Sequence, residues 1–186
     1  MAEKKDKKNT FNTRLNEVCG DDDLRPVLQC VQFVNGFAYA TNGNITIKQT
    51  LEYQSVLNKE MLEGKLLHRD SFKAIMGFEI AECTDMGIEC KNANGQTAFF
   101  DYYNPPVDQP IPDLERIMKQ VRSLTTLSFI GINPEMLNKL TKAMYNPYNN
   151  MRIQFTGINS PMLVDAVGIE GQEALLQPII LEASLF

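Results

Sequence analysis

The stretch CVQFVNGFAYATNGNITIKQT, residues 30–50, decides the fold because it contains three β-forming runs separated by two tight-turn dipeptides. Val, Ile, Thr, Phe and Tyr favour strands, and Asn-Gly between such runs is typical of a two-residue hairpin turn. The turns are Asn35-Gly36 and Asn42-Gly43. We therefore predict an antiparallel meander with strands at residues 27–34, 37–41 and 45–53.

Outside this meander, the same pattern of a short helix and three strands is predicted twice more. The further strands are expected at residues 65–68, 79–84, 87–91, 97–103, 124–130, 151–156, 162–167 and 174–181. A proline-rich loop at residues 104–112 follows the second unit. Three such units predict an α+β fold in which helices lie on one face of antiparallel sheets.

Each unit is expected to carry one short amphipathic helix. The first is predicted at residues 10–19, the second after an N-cap at Asp70, and the third after an N-cap at Asn133 with Pro134 at its first position. The apolar residues expected to face the core are Phe11, Leu15, Val18, Phe72, Ile75, Met76, Leu137, Leu140 and Met144.

Composition and charge limit the class of protein. The chain has 186 residues, 44% of them hydrophobic, with a formal net charge of −5. No run of 18 apolar residues is present and the charged start, residues 1–8, lacks an apolar secretion signal, so we expect a cytoplasmic protein. The negative charge argues against a surface that binds phosphates everywhere, although one basic face remains compatible with DNA binding.

Sites for catalysis, metals and cofactors are not indicated. Four cysteines, Cys19, Cys30, Cys83 and Cys90, lack C-x-x-C spacing, and His68 is the only histidine. Asp21-Asp22-Asp23 is either a Mg²⁺-binding cluster or, as is usual for adjacent acids after a helix, a solvated turn. No phosphate-binding glycine loop or nucleophile motif occurs, so we predict a protein that is not an enzyme.

Four segments of the chain are RPVLQCVQF at residues 25–33, ATNGN at 40–44, PDLERI at 112–117 and LLQPIIL at 175–181. Together they resemble the beta subunit of bacterial DNA polymerase III, the sliding clamp. They are similar to the strand that opens the clamp's middle domain, its A-T-D-G-H turn, its P-D-Y-x-R-V segment and its final M-P-M-R-L strand. The resemblance implies a clamp fold, in which outer sheets surround helices that line a central hole.

The resemblance also implies two binding sites. A hydrophobic pocket for short peptides of DNA polymerases and other clamp-binding proteins would be formed by Leu28, Thr41, Gly43, Pro112, Ile117, Leu175, Leu176, Pro178 and Ile179. Asn44-Ile45, Gln177 and Ile180 depart from the family's pattern there. Sequence-independent contacts to double-stranded DNA would come from Arg14, Arg69, Lys73, Lys139 and Lys142. Each of these cations is equally compatible with the ordinary charged face of an amphipathic helix.

The resemblance divides the chain into a basic flexible tail (1–9), a clamp-like domain of two units (10–115), a third unit (116–181) and a C-terminal tail (182–186). Family chains carry six units and close a ring of twelve, so four copies of this chain could close the same ring. A monomer is the alternative. The last residues, EASLF, resemble the Q-L-S-L-F peptide that clamp partners insert into the pocket, which would make Leu185 and Phe186 anchors.

Two functions remain open from the sequence. The chain is either a clamp-like processivity factor that encircles DNA and tethers a polymerase, or an adaptor or decoy that binds a clamp or its partners without enclosing DNA. The first predicts a closed oligomer with a basic helical face. The second predicts a monomer that acts through its pocket or its C-terminal tail.

Overall fold

The computed structural model describes residues 8–120, 130–148, 150–157 and 159–179. Within these ranges, ten strands form two antiparallel sheets. The strands are β1 (Cys30–Val34), β2 (Phe37–Thr41), β3 (Ile45–Thr50), β4 (Leu66–His68), β5 (Ile80–Cys83), β6 (Gly87–Lys91), β7 (Thr97–Asp101), β8 (Met151–Gln154), β9 (Met162–Ala166) and β10 (Gln172–Leu176).

The first and third meanders share one seven-stranded sheet, in the order β4-β1-β2-β3-β10-β9-β8. They join where β3 pairs antiparallel with β10, in a register that places Gln49 opposite Gln172 and Thr46 opposite Leu175. The second meander, β5-β6-β7, forms a separate three-stranded sheet. The sequence predicts the meanders, but this junction depends on strands more than 120 residues apart.

The predicted hairpin turn between β1 and β2 is confirmed. Asn35 and Gly36 both have positive φ, 53° and 75°, as a type I′ turn requires at its two central positions. Phe37 lies opposite Val34 in the register that this two-residue connection dictates. The local sequence therefore sets both the turn and the pairing of β1 with β2.

In the described part of the chain, three α-helices pack on the seven-stranded sheet. They are α1 (Arg69–Ile75), α2 (Leu114–Gln120) and α3 (Pro134–Ala143). The short 3₁₀ helix Leu15–Glu17 contacts both α1 and α3 on one face of the sheet. The α+β class is confirmed.

One helix lies on the other face of the sheet. Leu114 and Met118 of α2 pack with Tyr39, Leu163 and Leu175, in a cluster separate from the main core. Neighbouring residues of β2, β9 and β10 point into the main core, because side chains alternate between the two faces of a strand. The expectation that all helices share one face is therefore wrong for α2, which the sequence did not predict.

The main core is centred on an aromatic stack. Phe11 lies against Phe72, with ring centroids 4.1 Å apart, and against Phe33 at 6.2 Å. All three are at most 3% exposed, and burying each contributes roughly 1.5–3 kcal/mol. The stack joins the N-terminal segment, the first meander and α1 in one core.

A buried network of amides links the first and third meanders. Gln49 donates to Gln172 and accepts hydrogen bonds from Thr13 (2.7 Å) and Gln54 (2.9 Å). Gln172 also accepts from the backbone N–H of Tyr145 at 2.7 Å and donates to its carbonyl at 3.0 Å. Gln49, Gln54 and Gln172 are at most 2% exposed. A shift of β10 along β3 would leave these groups unpaired, which is costly in a buried site.

The prediction of a helix at residues 10–19 is wrong. Only Leu15–Glu17 is helical, as one 3₁₀ turn, although Phe11, Leu15 and Val18 are buried as expected. Thr10 donates to the Ile75 carbonyl and Asn12 to the Tyr53 carbonyl. Such long-range side-chain hydrogen bonds to the backbone, from residues of low helix propensity, compete with a regular helix.

Several predicted boundaries also need correction. The helix α1 is capped by His68, whose Nδ1 accepts from the Asp70 N–H at 3.3 Å, so Asp70 lies inside the helix. A 3₁₀ helix, Pro26–Gln29, precedes β1, where a strand was expected from residue 27. Another, Leu51–Tyr53, follows β3, because Thr50 caps it by accepting from the Glu52 N–H. The other predicted strands up to residue 167 that the structure describes agree with it to within two residues at each end. The last predicted strand, 174–181, instead runs from Gln172 to Leu176.

Other predictions are partly or wholly outside the described residues. The extended run at 124–130 is described only at Ile130, and residues 180 and 181 of the last predicted strand are not described. The cap at Asn133 is confirmed, since its side chain accepts from the Glu135 and Met136 N–H groups. The proposed domain boundary between residues 115 and 116 falls within α2.

Candidate functional site

A cavity of about 290 Å³ lies on the face of the sheet that carries α2. It opens where the β2–β3 turn, the start of α2 and the end of β10 meet. The residues that line it are Leu28, Thr41, Gly43, Asn44, Thr46, Pro112, Leu114, Ile117, Pro161, Leu175 and Gln177. We call this cavity the α2 pocket. Its lining is apolar or uncharged, so it suits an apolar anchor better than proton-transfer chemistry.

The β2–β3 turn forms a rigid wall of the α2 pocket. Thr41 Oγ1 donates to the Ile45 carbonyl at 2.7 Å and accepts from the Gly43 N–H at 3.1 Å. Asn42 Oδ1 accepts from the N–H groups of Asn44 and Ile45, both at 3.0 Å. Gly43 has φ of 88°, a conformation that a side chain would strain. The wall is therefore fixed by its own hydrogen bonds.

The helix α2 forms the opposite wall. Asp113 Oδ1 accepts from the Arg116 N–H at 2.9 Å, which satisfies one of the free donors in the first turn of the helix. Leu114 is buried against the sheet, whereas Ile117 remains 38% exposed at the pocket. Asn35 donates to Glu115 at 3.1 Å and so ties the helix to the β1–β2 turn. The side-chain hydrogen bonds from Lys119 and Asn35 lower the pKa of Glu115.

Six of the nine residues predicted for a peptide pocket meet in the α2 pocket. They are Leu28, Thr41, Gly43, Pro112, Ile117 and Leu175. Leu176 does not, because it follows Leu175 along β10, points to the opposite face and is fully buried in the main core. Pro178 and Ile179 also lie outside the lining, and the Ile179 N–H donates to the Gly131 carbonyl at 2.9 Å.

Five lining residues were not among those predicted. They are Asn44, Thr46, Leu114, Pro161 and Gln177. The departures from the family pattern at Asn44 and Gln177 were a signal in the sequence for two of them. Thr46 reaches the pocket because β3 pairs with Leu175 of β10, and no local pattern indicates that pairing.

A second cavity, also of about 290 Å³, adjoins the α2 pocket. Leu28 and Pro112 line both cavities. The second cavity is otherwise lined by Leu24, Arg25, Val27, Asp108, Gln109 and Pro110. Together the two cavities form a predominantly apolar surface that is wider than one side chain.

Three of the five predicted DNA-facing cations meet on the other face of the sheet. Arg69, Lys73 and Lys139 line a polar cavity of about 170 Å³ beside α1 and α3, whereas Arg14 and Lys142 do not line it. Three carboxylates, Glu17, Asp21 and Asp70, line the same cavity. Arg69 also donates to the Gly20 carbonyl at 2.7 Å. The cations on this face are therefore balanced locally by acids.

The other chemically notable residues have structural partners. Asp22 accepts hydrogen bonds from the Leu24 N–H and from Arg25, which lower its pKa. His68 contacts Gln29 at 3.0 Å in addition to capping α1. In the described parts of the chain, no cluster of three or more His, Cys, Asp or Glu side chains could hold a metal ion.

All four cysteines are buried and reduced. Burial raises the pKa of each thiol, to about 12 for Cys30 and Cys83 and about 11 for Cys90, and raises it further for Cys19. A raised pKa disfavours the thiolate, which is the reactive form. Leu185 and Phe186 of the tail and most of the N-terminal lysines lie outside the described residues. No helix within the described ranges is long and apolar enough to cross a membrane.

Comparison with known proteins gives matches at the level of structure alone. No family model and no curated protein matches the sequence. The fold is similar to the DNA polymerase sliding clamp of Pseudomonas aeruginosa with a ligand, with a TM-score of 0.59 and 14% identity. That match covers 90% of this chain and 63% of the clamp.

Two further clamps were solved with bound molecules. The sliding clamp (DNA polymerase III subunit beta) of Bartonella birtlesii bound to griselimycin has a TM-score of 0.59, 13% identity, and coverage of 92% of this chain and 67% of the clamp. The Helicobacter pylori clamp bound to a DNA ligase peptide has a TM-score of 0.55, 13% identity, and coverage of 90% and 61%. This chain therefore has the fold of the bacterial DNA polymerase sliding clamps, over 61–67% of the length of these three structures.

Proposed function

We propose that this chain is a clamp-like, non-enzymatic protein of the cytoplasm that tethers DNA polymerase or repair proteins to DNA by binding their peptides in the α2 pocket. One observation carries the proposal. Six residues that were predicted for a peptide pocket from separate segments of the sequence lie together in one uncharged cavity. The structure of the Helicobacter clamp with a DNA ligase peptide supports this class of ligand.

The shape and chemistry of the α2 pocket suit a short peptide with Leu and Phe side chains. The described residues that line it include no ionisable side chain, so an apolar anchor would enter without leaving a buried charge unpaired. The walls are held by hydrogen bonds within the β2–β3 turn and at the start of α2. A preformed site lowers the entropic cost of binding.

Peptide binding can be tested by fluorescence anisotropy with a labelled Q-L-S-L-F peptide. Replacing Ile117 by Asp should weaken binding at least about tenfold, because the variant places a carboxylate where the peptide would bury apolar surface. Arg116→Gln is the matched control, since Arg116 lies on the same helix outside the pocket and its side chain is largely exposed. Equal affinities for all three proteins would refute this use of the pocket.

The second part of the proposal is that a closed oligomer of this chain encircles double-stranded DNA. Four chains would form the simplest ring. Its DNA contacts would come from Arg14, Arg69, Lys73, Lys139 and Lys142, which would bind phosphates and not read bases. A linked ring should remain on circular DNA during gel filtration and slide from linear DNA of the same length. Identical retention on both forms would contradict encirclement.

The mixed charge of the helical face favours a second candidate function. Because Glu17, Asp21 and Asp70 surround Arg69, Lys73 and Lys139, the local field is less positive than a phosphate-binding surface requires. In this alternative, the chain is an adaptor or decoy that binds a clamp or a clamp partner without enclosing DNA. It predicts peptide binding by the α2 pocket together with no retention on circular DNA.

A further inference from the structure

We propose that β7 is a self-association edge, at which two copies of this chain pair antiparallel about a two-fold axis centred on Phe99. The pairing would extend the three-stranded sheet of each copy into a continuous six-stranded sheet. The inference goes beyond the proposed function and does not depend on the α2 pocket.

The third strands of the three meanders differ in how they are paired. The third strands are β3, β7 and β10, and two of them, β3 and β10, pair with each other inside the chain. Among the described residues, β7 pairs only with β6. Within the described part of the chain, the outer edge of β7, which corresponds to the edges that join β3 and β10, therefore has no partner strand.

The open edge presents a regular row of backbone groups. Asn92 N–H donates to the Gln96 carbonyl, and the β6–β7 register places even-numbered residues of β7 in the hydrogen-bonded pairs with β6. The N–H and C=O groups of Thr97, Phe99 and Asp101 therefore point away from β6. Beyond them, the Tyr103 N–H is already bonded to the Leu66 carbonyl at 2.8 Å.

Within the described residues, the edge of β7 lacks the features that usually block pairing. Natural edge strands are usually protected by lysine, proline, a bulge or a covering segment. The sequence of β7, Thr97–Asp101, contains neither lysine nor proline and pairs with β6 without a bulge. Phe99 is 47% exposed on its outer face. These properties favour an edge that is covered by another strand.

The sequence of β7 is complementary to itself in this register. Centring on Phe99 pairs Phe99 with Phe99, Thr97 with Asp101 and Ala98 with Phe100 of the second copy. Ala98 and Phe100 face the core, so a small side chain lies opposite a large one on that face. The pair Phe99 with Phe99 and the two symmetry-related pairs of Thr97 with Asp101 would each exchange two hydrogen bonds. These pairs would use all six N–H groups that the two β7 strands present to each other.

Charges at the edge are also complementary. Lys91 lies beside Thr97 on β6, so it would lie two strands, about 10 Å between Cα atoms, from the partner's Asp101. That separation is within the reach of a lysine side chain. Neither Lys91 nor Asp101 forms an ion pair with another described residue. Each copy would therefore supply one cation and one anion to the other.

Sedimentation equilibrium of the full chain over a wide concentration range tests the proposal. The mass should rise from 21.0 kDa to at least twice that value. Asp101→Lys should weaken association at least about tenfold, because it places a positive charge near the partner's Lys91. The exchanged pair Lys91→Asp/Asp101→Lys should restore association.

Two further variants separate edge pairing from misfolding or unrelated association. Thr97→Pro removes an N–H that faces the open edge and leaves the β6–β7 hydrogen bonds intact, so it should weaken association with little change in circular dichroism. Glu82→Lys is the control, because it reverses a charge on β5, the strand at the opposite edge of the same sheet. This variant should associate as strongly as the unchanged protein. A protein of 21.0 kDa at every concentration would overturn the proposal. Association of Asp101→Lys and Thr97→Pro as strong as that of the unchanged protein would also overturn it.

Discussion

Replacing Gln172 by Leu should destabilise the fold by about 2–4 kcal/mol, because the change removes the partner of several buried polar groups. Gln49 Nε2 would lose its hydrogen bond in a site where Gln49 is fully buried. The N–H and C=O of Tyr145 would also lose theirs. The unpaired Gln49 amide accounts for about 1–3 kcal/mol of this destabilisation. The backbone groups of Tyr145 are only partly buried and can bind water instead, so they account for the smaller remainder.

Urea unfolding followed by circular dichroism measures this change. For a chain of this size we expect a midpoint lower by about 1 M at unchanged slope. The same substitution at an exposed position, Gln120→Leu, is the matched control and should change stability by less than about 0.5 kcal/mol. The double variant Gln49→Leu/Gln172→Leu should cost less than the sum of the single variants, since the two amides share one hydrogen bond.

Two outcomes would refute this reasoning. If Gln172→Leu and Gln120→Leu were equally stable, the network would not contribute to the junction between the first and third meanders. If the effects of Gln49→Leu and Gln172→Leu were additive, the two amides would act independently, contrary to the hydrogen bond that joins them.

Two smaller predictions test local structure. Asn133→Ala removes the side-chain acceptor for two N–H groups at the start of α3, and should cost about 1 kcal/mol, or about 2–4 °C in Tm by thermal circular dichroism; an unchanged Tm would mean that the cap is not formed. Burial raises the pKa of Cys83 to about 12 and of Cys90 to about 11 from 9.0, so an aromatic disulfide reagent at pH 8 should label these thiols only after unfolding. Because the folded state retains those protons, the free energy of unfolding should fall as the pH rises from about 9 through the folded pKa values; rapid labelling of native protein would contradict the burial.

Sequence reasoning was accurate where the signal was local. Asn35-Gly36 fixed a turn because few other residues adopt positive φ at both central positions, and Asn133-Pro134 marked the start of α3 through capping. It was wrong at residues 10–19, where apolar spacing indicated a helix. The side chains of Thr10 and Asn12 bind distant backbone carbonyls there, and local spacing cannot reveal such partners.

For the candidate site too, predictions were correct where they depended on local sequence and wrong where they depended on distant pairing. Thr41 and Gly43 belong to a turn that the sequence marks clearly, and both line the α2 pocket. Leu176 was expected beside Leu175, but adjacent strand residues face opposite sides of a sheet. The two faces of β10 cannot be assigned until the strand is seen to pair with β3.

By itself, the sequence determined the three meanders, most of their turns, the start of α3 and the likeness to the clamp fold, because these depend on residues close together in the chain. Only the tertiary structure decided that the first and third meanders share a sheet, that α2 lies on the face opposite α1 and α3, and that β7 pairs with β6 alone among the described residues. Those features depend on pairing between strands far apart in sequence and on burial against distant residues. Periodicity reports which face of a segment is apolar, but not which other segment covers it.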